Sequence, residues 1–252
     1  MMRLAAIWRH PIKSHGRESL ASVTLRAGET LPWDRRWAVA HEAARIDRDS
    51  PSWANWVNFS RGAKAPLLMG INAALDEATA SITLTHVDRP ALTFRPDDPA
   101  DAARFLDWVL PLCPADRAQP AEIYAVPGRG MTDTDYPSVS ILNLASNADL
   151  SARMGVDLSP LRWRGNLWLE GAAAWSEAHW PGQRLRIGTA EFEVVEPIMR
   201  CLATSANPSN GVIDADTLGA LRRETGAQIF GVYARVITGG RIEGGDMAEI
   251  LE

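Results

Sequence analysis

Residues 81–95 read SITLTHVDRPALTFR and indicate the fold class. Ser81–Thr85 and Leu92–Arg95 alternate apolar with polar residues, which is the period of a half-buried β-strand, and a turn-forming stretch separates them. Strand-like stretches of the same kind lie on both sides, at Arg3–Trp8, Leu20–Leu25, Trp37–Ala40, Leu67–Ala73, Glu122–Val126, Val139–Leu144, Asn166–Leu169, Arg184–Ile187, Glu191–Val195 and Ile229–Thr238. The pattern predicts a series of short strands.

Three helices are predicted to interrupt these strands. They cover Ala100–Leu110, Asn147–Met154 with Ser146 as its N-cap and Gly155 at its end, and Asp216–Thr225 with Asp214 as its N-cap and Gly226 at its end. Strands outnumber helices and do not alternate with them regularly, which disfavours a doubly wound parallel sheet. We therefore expect a mainly β protein with a few helices, of the α+β class.

The proline-rich stretch 111–120 is the best candidate for a domain boundary. On that basis we divide the chain into a first domain over residues 1–97, a helical and proline-rich connection over 98–120, and a second domain over 121–252. Both domains are expected to be mainly β, because strand-like stretches predominate on each side of the boundary.

Composition excludes several classes of protein. The chain has 252 residues, 46% apolar and 23% charged, which is typical of a folded globular protein. A net charge of −5 argues against nucleic acid and against an anionic membrane surface as partners. No apolar run approaches ~18 residues and the start lacks a signal peptide, so we expect a cytoplasmic protein. Two cysteines are too few for a disulfide framework, a four-cysteine zinc site or an iron–sulfur cluster.

The basic residues are almost all arginine. Of the 26, only Lys13 and Lys64 are lysines. This bias suggests a coding preference that replaces lysine wherever any positive charge is sufficient. The two lysines are either retained by chance or mark a site that needs a compact ammonium group.

Three common nucleotide and metal signatures are absent. Neither lysine follows a glycine, so there is no P-loop. Gly128–Gly130 follows a strand, but Asp133 occupies the third glycine position of a dinucleotide fingerprint. Arg45 stands where a zincin motif beginning at His41 would need its second histidine, which excludes that zinc site.

Four segments bring chemically useful residues together, in this order along the chain: His10–Ser14 (HPIKS), Trp33–Trp37 (WDRRW), Arg162–Asn166 (RWRGN) and Met199–Thr204 (MRCLAT). Together they resemble the motifs of the MOSC family. Within it they resemble proteins, such as the amidoxime-reducing components, in which a MOSC N-terminal β-barrel domain precedes the MOSC domain. The resemblance implies an N-terminal β-barrel-like lobe packed on a MOSC β-barrel domain.

The resemblance also implies molybdenum cofactor, with Cys201 as the protein ligand to the metal and as the catalytic residue. Such a cofactor needs a soft thiolate, cations for its phosphate and hydrogen-bonding groups for its pterin. The cofactor-binding residues that the resemblance implies are Lys13, Ser14, Arg35, Ser138, Arg164, Asn166, Arg200 and Tyr233. Cys113 lies outside these motifs, and we interpret it as structural.

Each of these assignments has a simpler alternative. Cys201 is otherwise one more buried apolar residue, and Arg35 a solvated charge. Arg164 and Asn166 fit a turn before a strand. Tyr233 fits core packing equally well. The Ser138 assignment depends on a strand register that is uncertain by one residue.

The function implied is a molybdenum-dependent oxidoreductase that reduces small N-hydroxylated compounds, such as hydroxylamines and amidoximes. A separate electron-transfer protein is expected as donor, because the chain shows no nucleotide fingerprint and too few cysteines for a cluster. One alternative is a carrier that uses Cys201 to transfer molybdenum cofactor or sulfur. Another is a cysteine hydrolase with His179 as the base. Asn207–Gly211 departs from the relatives, which carry an acidic residue and a threonine there.

Overall fold

The computed structural model describes residues 1–251, in which fifteen strands and three α-helices are joined by short 3₁₀ segments. The strands are β1 (Met2–Arg9), β2 (Glu18–Leu20), β3 (Ser22–Leu25), β4 (Trp37–His41), β5 (Asn72–Asp76), β6 (Ser81–His86), β7 (Arg89–Phe94), β8 (Pro120–Ala125), β9 (Val139–Asn143), β10 (Leu167–Glu170), β11 (Arg184–Ile187), β12 (Ala190–Met199), β13 (Ile229–Thr238), β14 (Gly240–Glu243) and β15 (Met247–Leu251). The helices are α1 (Pro99–Val109), α2 (Leu144–Met154) and α3 (Thr217–Thr225). None of the helices within residues 1–251 is long and apolar enough to cross a membrane.

Seven strands form a closed barrel. Their order is β10-β9-β13-β12-β11-β15-β1, and pairing between β1 and β10 completes the ring. β9 and β10 are parallel, whereas the other neighbours are antiparallel. Alternate residues, such as Leu185 and Ile187 of β11 and Phe192 and Val194 of β12, are fully buried in one core cluster, as expected where one face of each strand points into a barrel. The prediction of a mainly β protein with a few helices is confirmed.

The first lobe contains two smaller sheets. One has the order β5-β6-β7, and the other pairs β4 with β8. Helix α1 packs on β7 and β8, and its Phe105 ring stacks on Phe94 at 4.8 Å between centroids. Trp37 of β4 is also fully buried in this core. The lobe therefore has a hydrophobic core of its own, separate from that of the barrel.

Several strands pair across the domain boundaries that the sequence suggested. β1 pairs with β10 and β15 in the barrel, and β3 pairs with β14. In the other direction, β8 follows the proline-rich stretch but pairs with β4 of the first lobe. The division at residues 97 and 121 stays a prediction about domains. Strands from each half of the chain pair with strands from the other half.

The helix ends are only partly as predicted. α2 and α3 end, as predicted, at glycines in the left-handed conformation, Gly155 at φ 66° and Gly226 at φ 71°. Their N-caps differ. Asn143 caps α2 in place of Ser146, because the Ser146 hydroxyl donates to the buried carboxylate of Glu177 at 2.8 Å.

A similar exchange occurs at α3, and one predicted strand is shifted. Asp216 caps α3 in place of Asp214, because Asp214 accepts a hydrogen bond from Arg162 at 2.6 Å. The strand predicted at Leu67–Ala73 begins only at Asn72, since a 3₁₀ segment occupies Pro66–Gly70. Proline at the first position of that segment favours the helical turn.

Candidate functional site

A cavity of about 480 Å³ lies between the first lobe and the barrel. Both halves of the chain contribute to its walls. Seven of the residues proposed from sequence line it, namely Lys13, Ser14 and Arg35 from the first half and Arg164, Arg200, Cys201 and Tyr233 from the second. Segments that are as much as 220 residues apart in sequence numbering thus meet at one site.

Two of the proposed residues do not line this cavity. Ser138 is buried, and its hydroxyl accepts a hydrogen bond from Thr134 at 2.8 Å. Ser140, two residues further along and within β9, lines the cavity instead. The Asn166 side chain is also buried, where it accepts from the Ser140 hydroxyl at 2.8 Å and donates to the Trp8 carbonyl at 3.1 Å. Asn166 therefore holds β1 and β9 together behind the wall.

Cys201 lies at the point where the chain leaves β12. It is exposed, and it is the N-cap residue of the 3₁₀ segment Leu202–Ser205. Its carbonyl accepts hydrogen bonds from the Thr204 amide at 3.2 Å and the Thr204 hydroxyl at 3.1 Å. No second cysteine and no histidine lines the cavity within residues 1–251. Cys201 is the one thiol that this site offers to a metal or a substrate.

Arg162 fixes the segment that follows the cysteine. Its guanidinium donates to the Ser205 carbonyl at 3.2 Å and to the Asp214 carboxylate at 2.6 Å, and its side chain is only 5% exposed. The hydroxyls of Thr204 and Thr217 lie 2.7 Å apart next to it. The backbone around Cys201 is therefore held on a buried polar network rather than on a free loop.

Arg164 and Arg200 present positive charge without a matching carboxylate. Arg200 donates to the carbonyls of Phe230 at 2.8 Å and Trp163 at 2.9 Å, and Arg164 donates to the Gly16 carbonyl at 3.1 Å. Neither guanidinium has a carboxylate oxygen within 4.0 Å in the described chain. Arg164 Nη1 and Arg200 Nη2 are buried and have no hydrogen-bond partner. A buried donor of this kind is unfavourable unless a partner reaches it.

Burial sets the electrostatics of these two arginines. It lowers the pKa of Arg164 to about 9, with a further contribution from the charge of Arg35. It lowers the pKa of Arg200 to about 10. Both groups stay protonated at neutral pH in an environment that disfavours their charge. A bound anion would relieve that penalty, so the two arginines are suited to hold one.

The cations of the first half are arranged differently. The Lys13 ammonium donates to the Met131 carbonyl at 2.8 Å and forms an ion pair with Asp133. Burial opposes the charges of Arg35 and Asp34, but their ion pair outweighs this, so the pKa of Asp34 is lowered and that of Arg35 is raised. Arg35 also donates to the Arg164 carbonyl at 3.1 Å. Each of these two cations is already balanced by a carboxylate.

Three residues of the site have left-handed backbone conformations. Ser14, Arg35 and Arg164 have φ values of 64°, 51° and 49°, which side chains other than glycine rarely adopt. Strain of this kind persists only where the surrounding contacts enforce it. Here the Arg35 amide donates to the His10 carbonyl at 2.6 Å, and the Arg35 carbonyl accepts from Met131 at 2.7 Å. The backbone thus directs these polar side chains into one wall.

Strand register brings three further polar side chains together. Tyr233 of β13 pairs with Ser140 of β9 on one side and with Glu196 of β12 on the other, and all three line the cavity. Burial raises the pKa of Tyr233, and the negative charge of Asp133 adds to the rise. The phenol is therefore protonated at neutral pH and available as a hydrogen-bond donor.

The cavity also has charged and large apolar residues that the sequence motifs do not include. Asp133, Arg61, Trp56 and Met69 line it, and none belongs to one of the four motif segments. The Arg61 guanidinium lies 4.0 Å from the centroid of the Trp56 ring. Asp133 is the partner of Lys13, but the sequence shows it only as one acidic residue in a polar loop. The pairing becomes visible only in three dimensions.

Comparison with known protein families matches almost the whole chain. Residues 1–111 match the MOSC N-terminal beta barrel domain, and residues 131–249 match the MOSC domain. The human mitochondrial amidoxime reducing component 2 is 33% identical over 124 residues, which is 44% of this chain and 36% of that protein. Molybdenum cofactor sulfurase 2 of Culex quinquefasciatus is 35% identical over 86 residues, which is 34% of this chain and 11% of that protein.

Solved structures give weaker similarities. The YUAD protein from Bacillus subtilis aligns over 99% of this chain and 96% of its own, with 12% identity and a TM-score of 0.47. YiiM from Geobacillus stearothermophilus aligns over 45% of this chain and 54% of its own, with 21% identity and a TM-score of 0.36. The matched region spans about a third of the human relative. On the two domain matches, this chain belongs to the MOSC family and carries a MOSC N-terminal beta barrel domain ahead of its MOSC domain.

Proposed function

We propose that the protein binds molybdenum cofactor in the cavity between its lobes and is an oxidoreductase that reduces N-hydroxylated compounds. The observation that carries the proposal is the placement of an exposed cysteine, Cys201, on the same cavity as two arginines that lack carboxylate partners and each keep one buried nitrogen without a hydrogen bond. A relative named as an amidoxime reducing component and another named as a molybdenum cofactor sulfurase support it.

The donor set fits this cofactor. Cys201 offers the soft thiolate that molybdenum prefers. Arg164 Nη1 and Arg200 Nη2 are unpaired donors, which suit an anionic phosphate. Ser14 and Ser140 line the same cavity and offer hydroxyl groups to a heterocycle. When bound, the cofactor would supply two-electron chemistry, in which an N–OH group takes up two electrons and two protons to yield N–H and water.

The protein's own residues would bind the cofactor, orient the substrate and hold protons at the site. Arg164 and Arg200 fix the anionic end of the bound group, and Arg35 positions Arg164 through its hydrogen bond to the Arg164 carbonyl. Tyr233 holds its phenolic proton at neutral pH and can donate a hydrogen bond to a substrate oxygen. Trp56 and Met69 give the cavity an apolar side, which suits the organic part of a small substrate.

We expect the electrons to come from a separate protein. Cys201 is exposed at the cavity, so an external donor can approach this site. The expected behaviour is turnover of benzamidoxime with a chemically reduced viologen dye and none with NADH or NADPH alone. Turnover on pyridine nucleotide alone, in a preparation free of contaminating reductase, would show that no separate donor is needed.

The decisive test is metal content. Protein made in a molybdate-supplied host should contain about one molybdenum per chain, and Cys201→Ser should lose both metal and turnover, because hydroxyl is a poor ligand for this metal. Cys113→Ser is the matched control. Burial raises the pKa of the Cys113 thiol to about 11, and this residue does not line the cavity. Equal metal and activity in Cys201→Ser and wild type would refute the ligand assignment.

The alternative is a carrier of molybdenum cofactor or sulfur. The exposure of Cys201 favours it, since a transferred group must be reachable by the receiving protein. A carrier would release its cofactor to an apo-enzyme and would show no turnover with either electron donor despite full metal loading. An oxidoreductase would keep its metal through gel filtration and turn over with the dye.

A further inference from the structure

A second cavity, which we call the side pocket, lies within the first half of the chain. Its volume is about 170 Å³, and its walls come from His41 and from some of the residues in segments 57–65 and 113–118. Of all the residues that line it, only Arg61 also lines the candidate functional site. No residue of the MOSC domain match, 131–249, contributes. The side pocket is therefore a separate place in the fold, and a ligand bound there is independent of the proposed function.

The side pocket carries unbalanced positive charge. Arg61, Lys64 and Arg117 line it, and no aspartate or glutamate does. Arg61 and Lys64 have no carboxylate oxygen within 4.0 Å in residues 1–251. The nearest acid to Arg117 is Asp116, at 3.8 Å, and this side chain is 78% exposed. The Arg61 guanidinium lies on the Trp56 ring of the candidate functional site, so Lys64 and Arg117 provide most of the positive potential that attracts an anion to the side pocket.

Lys64 is one of only two lysines in a chain that otherwise uses arginine. The first, Lys13, is buried at the candidate functional site. The second lines the side pocket. An ammonium is a compact charge with three freely oriented donors, so Lys64 can turn one of them toward an anion in this pocket.

Two polar groups of the side pocket have no partner. Ser60 is only 8% exposed, and its buried hydroxyl forms no hydrogen bond. The His41 Nε2 atom lies 2.8 Å from the Val57 carbonyl, so this nitrogen carries the proton. The other ring nitrogen, Nδ1, is buried and unpartnered, and in the neutral ring it is an acceptor. The side pocket thus offers a hydroxyl donor and a nitrogen acceptor alongside its cations.

We propose that the side pocket binds hydrogenphosphate, an oxyanion that still carries one proton. The cations balance its charge, the Ser60 hydroxyl donates to one oxygen, and the P–OH group donates to His41 Nδ1. A carboxylate or a sulfate ion at neutral pH has no proton to donate to this nitrogen, so it would leave the acceptor unsatisfied. A phosphate monoester, whose second pKa is about 6, has also lost that proton at pH 7.

The test is a calorimetric titration of the purified full-length protein, loaded with whatever cofactor it retains, at pH 7. We expect one saturable phosphate site per chain, with sulfate binding about tenfold more weakly although its charge and shape are nearly the same. Methyl phosphate, which has lost its second proton at pH 7, should bind about as weakly as sulfate. Equal binding of sulfate and phosphate would overturn the assignment, and so would the absence of saturable phosphate binding.

Variants locate the site. Lys64→Gln and Ser60→Ala should each weaken phosphate binding about tenfold, since each removes one donor to the anion. Arg104→Gln, an exposed arginine of α1 that pairs with Asp101, is the control for overall charge and should leave the affinity unchanged. Lys13→Ala shows at which of the two cavities phosphate binds, because Lys13 lines only the candidate functional site. If phosphate binding is lost in Lys13→Ala and kept in Lys64→Gln, the anion binds at the candidate functional site and the proposal is wrong. Thermal unfolding checks that each variant is folded.

Discussion

The two sides of the cavity between the lobes treat positive charge in opposite ways. On the side of the first lobe, Lys13 forms an ion pair with Asp133, and Arg35 forms one with Asp34. The Asp34 side chain is fully buried. Each of these cations is held in the wall by a carboxylate of the protein itself, so neither needs a ligand to balance its charge.

On the side of the barrel, the charges are not balanced. Arg164 and Arg200 bond only to carbonyl oxygens, and each keeps one buried nitrogen without a partner. Maintaining such an arrangement is unfavourable for the folded protein in the absence of an anion. The comparison indicates a division of roles, in which paired cations build the wall and unpaired cations receive the ligand.

The largest expected effect is on stability, from the paired side. Asp34→Asn removes the counter-charge of a buried arginine while keeping a similar shape, and it should lower the free energy of unfolding by about 3–5 kcal/mol. Urea unfolding measures this. Glu29→Gln is the matched control, because it breaks an exposed pair with Arg26 and should change stability by less than ~1 kcal/mol. Equal losses in the two variants would contradict the structural role of the Asp34 pair.

A pH effect should follow from two buried histidines on the same side. Burial lowers the pKa of His10 to about 3 and that of His15 to about 4, from an ordinary value of 6.5. Below pH 6.5 these two histidines bind protons in the unfolded chain but stay neutral in the native protein. The free energy of unfolding should therefore fall by about 1.4 kcal/mol per pH unit for each histidine until the folded pKa is reached.

Urea unfolding at pH 7, 6 and 5 measures that slope. His15→Gln should reduce it by about half, since one of the two histidines then no longer titrates. His179 lies in a 3₁₀ segment of the barrel half, so His179→Gln is the control and should keep the slope. A stability that does not change between pH 7 and pH 5 would contradict the burial of His10 and His15.

The unpaired side should respond in ligand binding. Arg200→Met removes one donor to an anion, and cofactor retention should fall by about 10- to 100-fold, which corresponds to a charge-assisted hydrogen bond of about 1.5–3 kcal/mol. Molybdenum content after extensive dialysis measures this loss. Stability should change far less than in Asp34→Asn, because no carboxylate is left unpaired. A large loss of stability with normal metal content would mean that Arg200 builds the wall rather than binds the ligand, and would contradict the division of roles.

The smallest effect is expected for Asp133→Asn. The Asp133 side chain is 53% exposed, so solvent screens its pair with Lys13, and the free energy of unfolding should fall by less than in Asp34→Asn, whose carboxylate is fully buried. The freed Lys13 ammonium then becomes a third unpaired cation, and cofactor retention should rise rather than fall. A decrease in retention would mean that Asp133 itself contacts the bound group.

Local sequence signals predicted some of this structure well. Alternation identified most strands, and glycines marked the ends of α2 and α3, because both features act through the nearest residues. The N-caps were less predictable. Ser146 and Asp214 are good caps by residue type. Their side chains instead form hydrogen bonds with Glu177 and Arg162, which belong to other segments.

The site was predictable where motifs carried it and not elsewhere. Cys201 and Arg200 stood in a recognisable segment. Asp133 and Arg61 did not, because their importance arises only from the neighbours that folding gives them. Ser138 lies just before β9 and Ser140 lies within it, and alternation alone gives no indication of where along the strand the cavity begins.

The closure of the barrel by its first strand has a consequence for how the protein folds. β1 pairs with β15, with Met2 opposite Ala248, so this contact spans almost the whole described chain. Contacts between such distant segments are slow to form, because ordering the intervening chain is entropically costly. During synthesis β1 is made before β10 and β15, with which it pairs. Until those strands are present, the backbone edges of β1 can form non-native pairings. We therefore expect slow folding, with barrel closure as a late step.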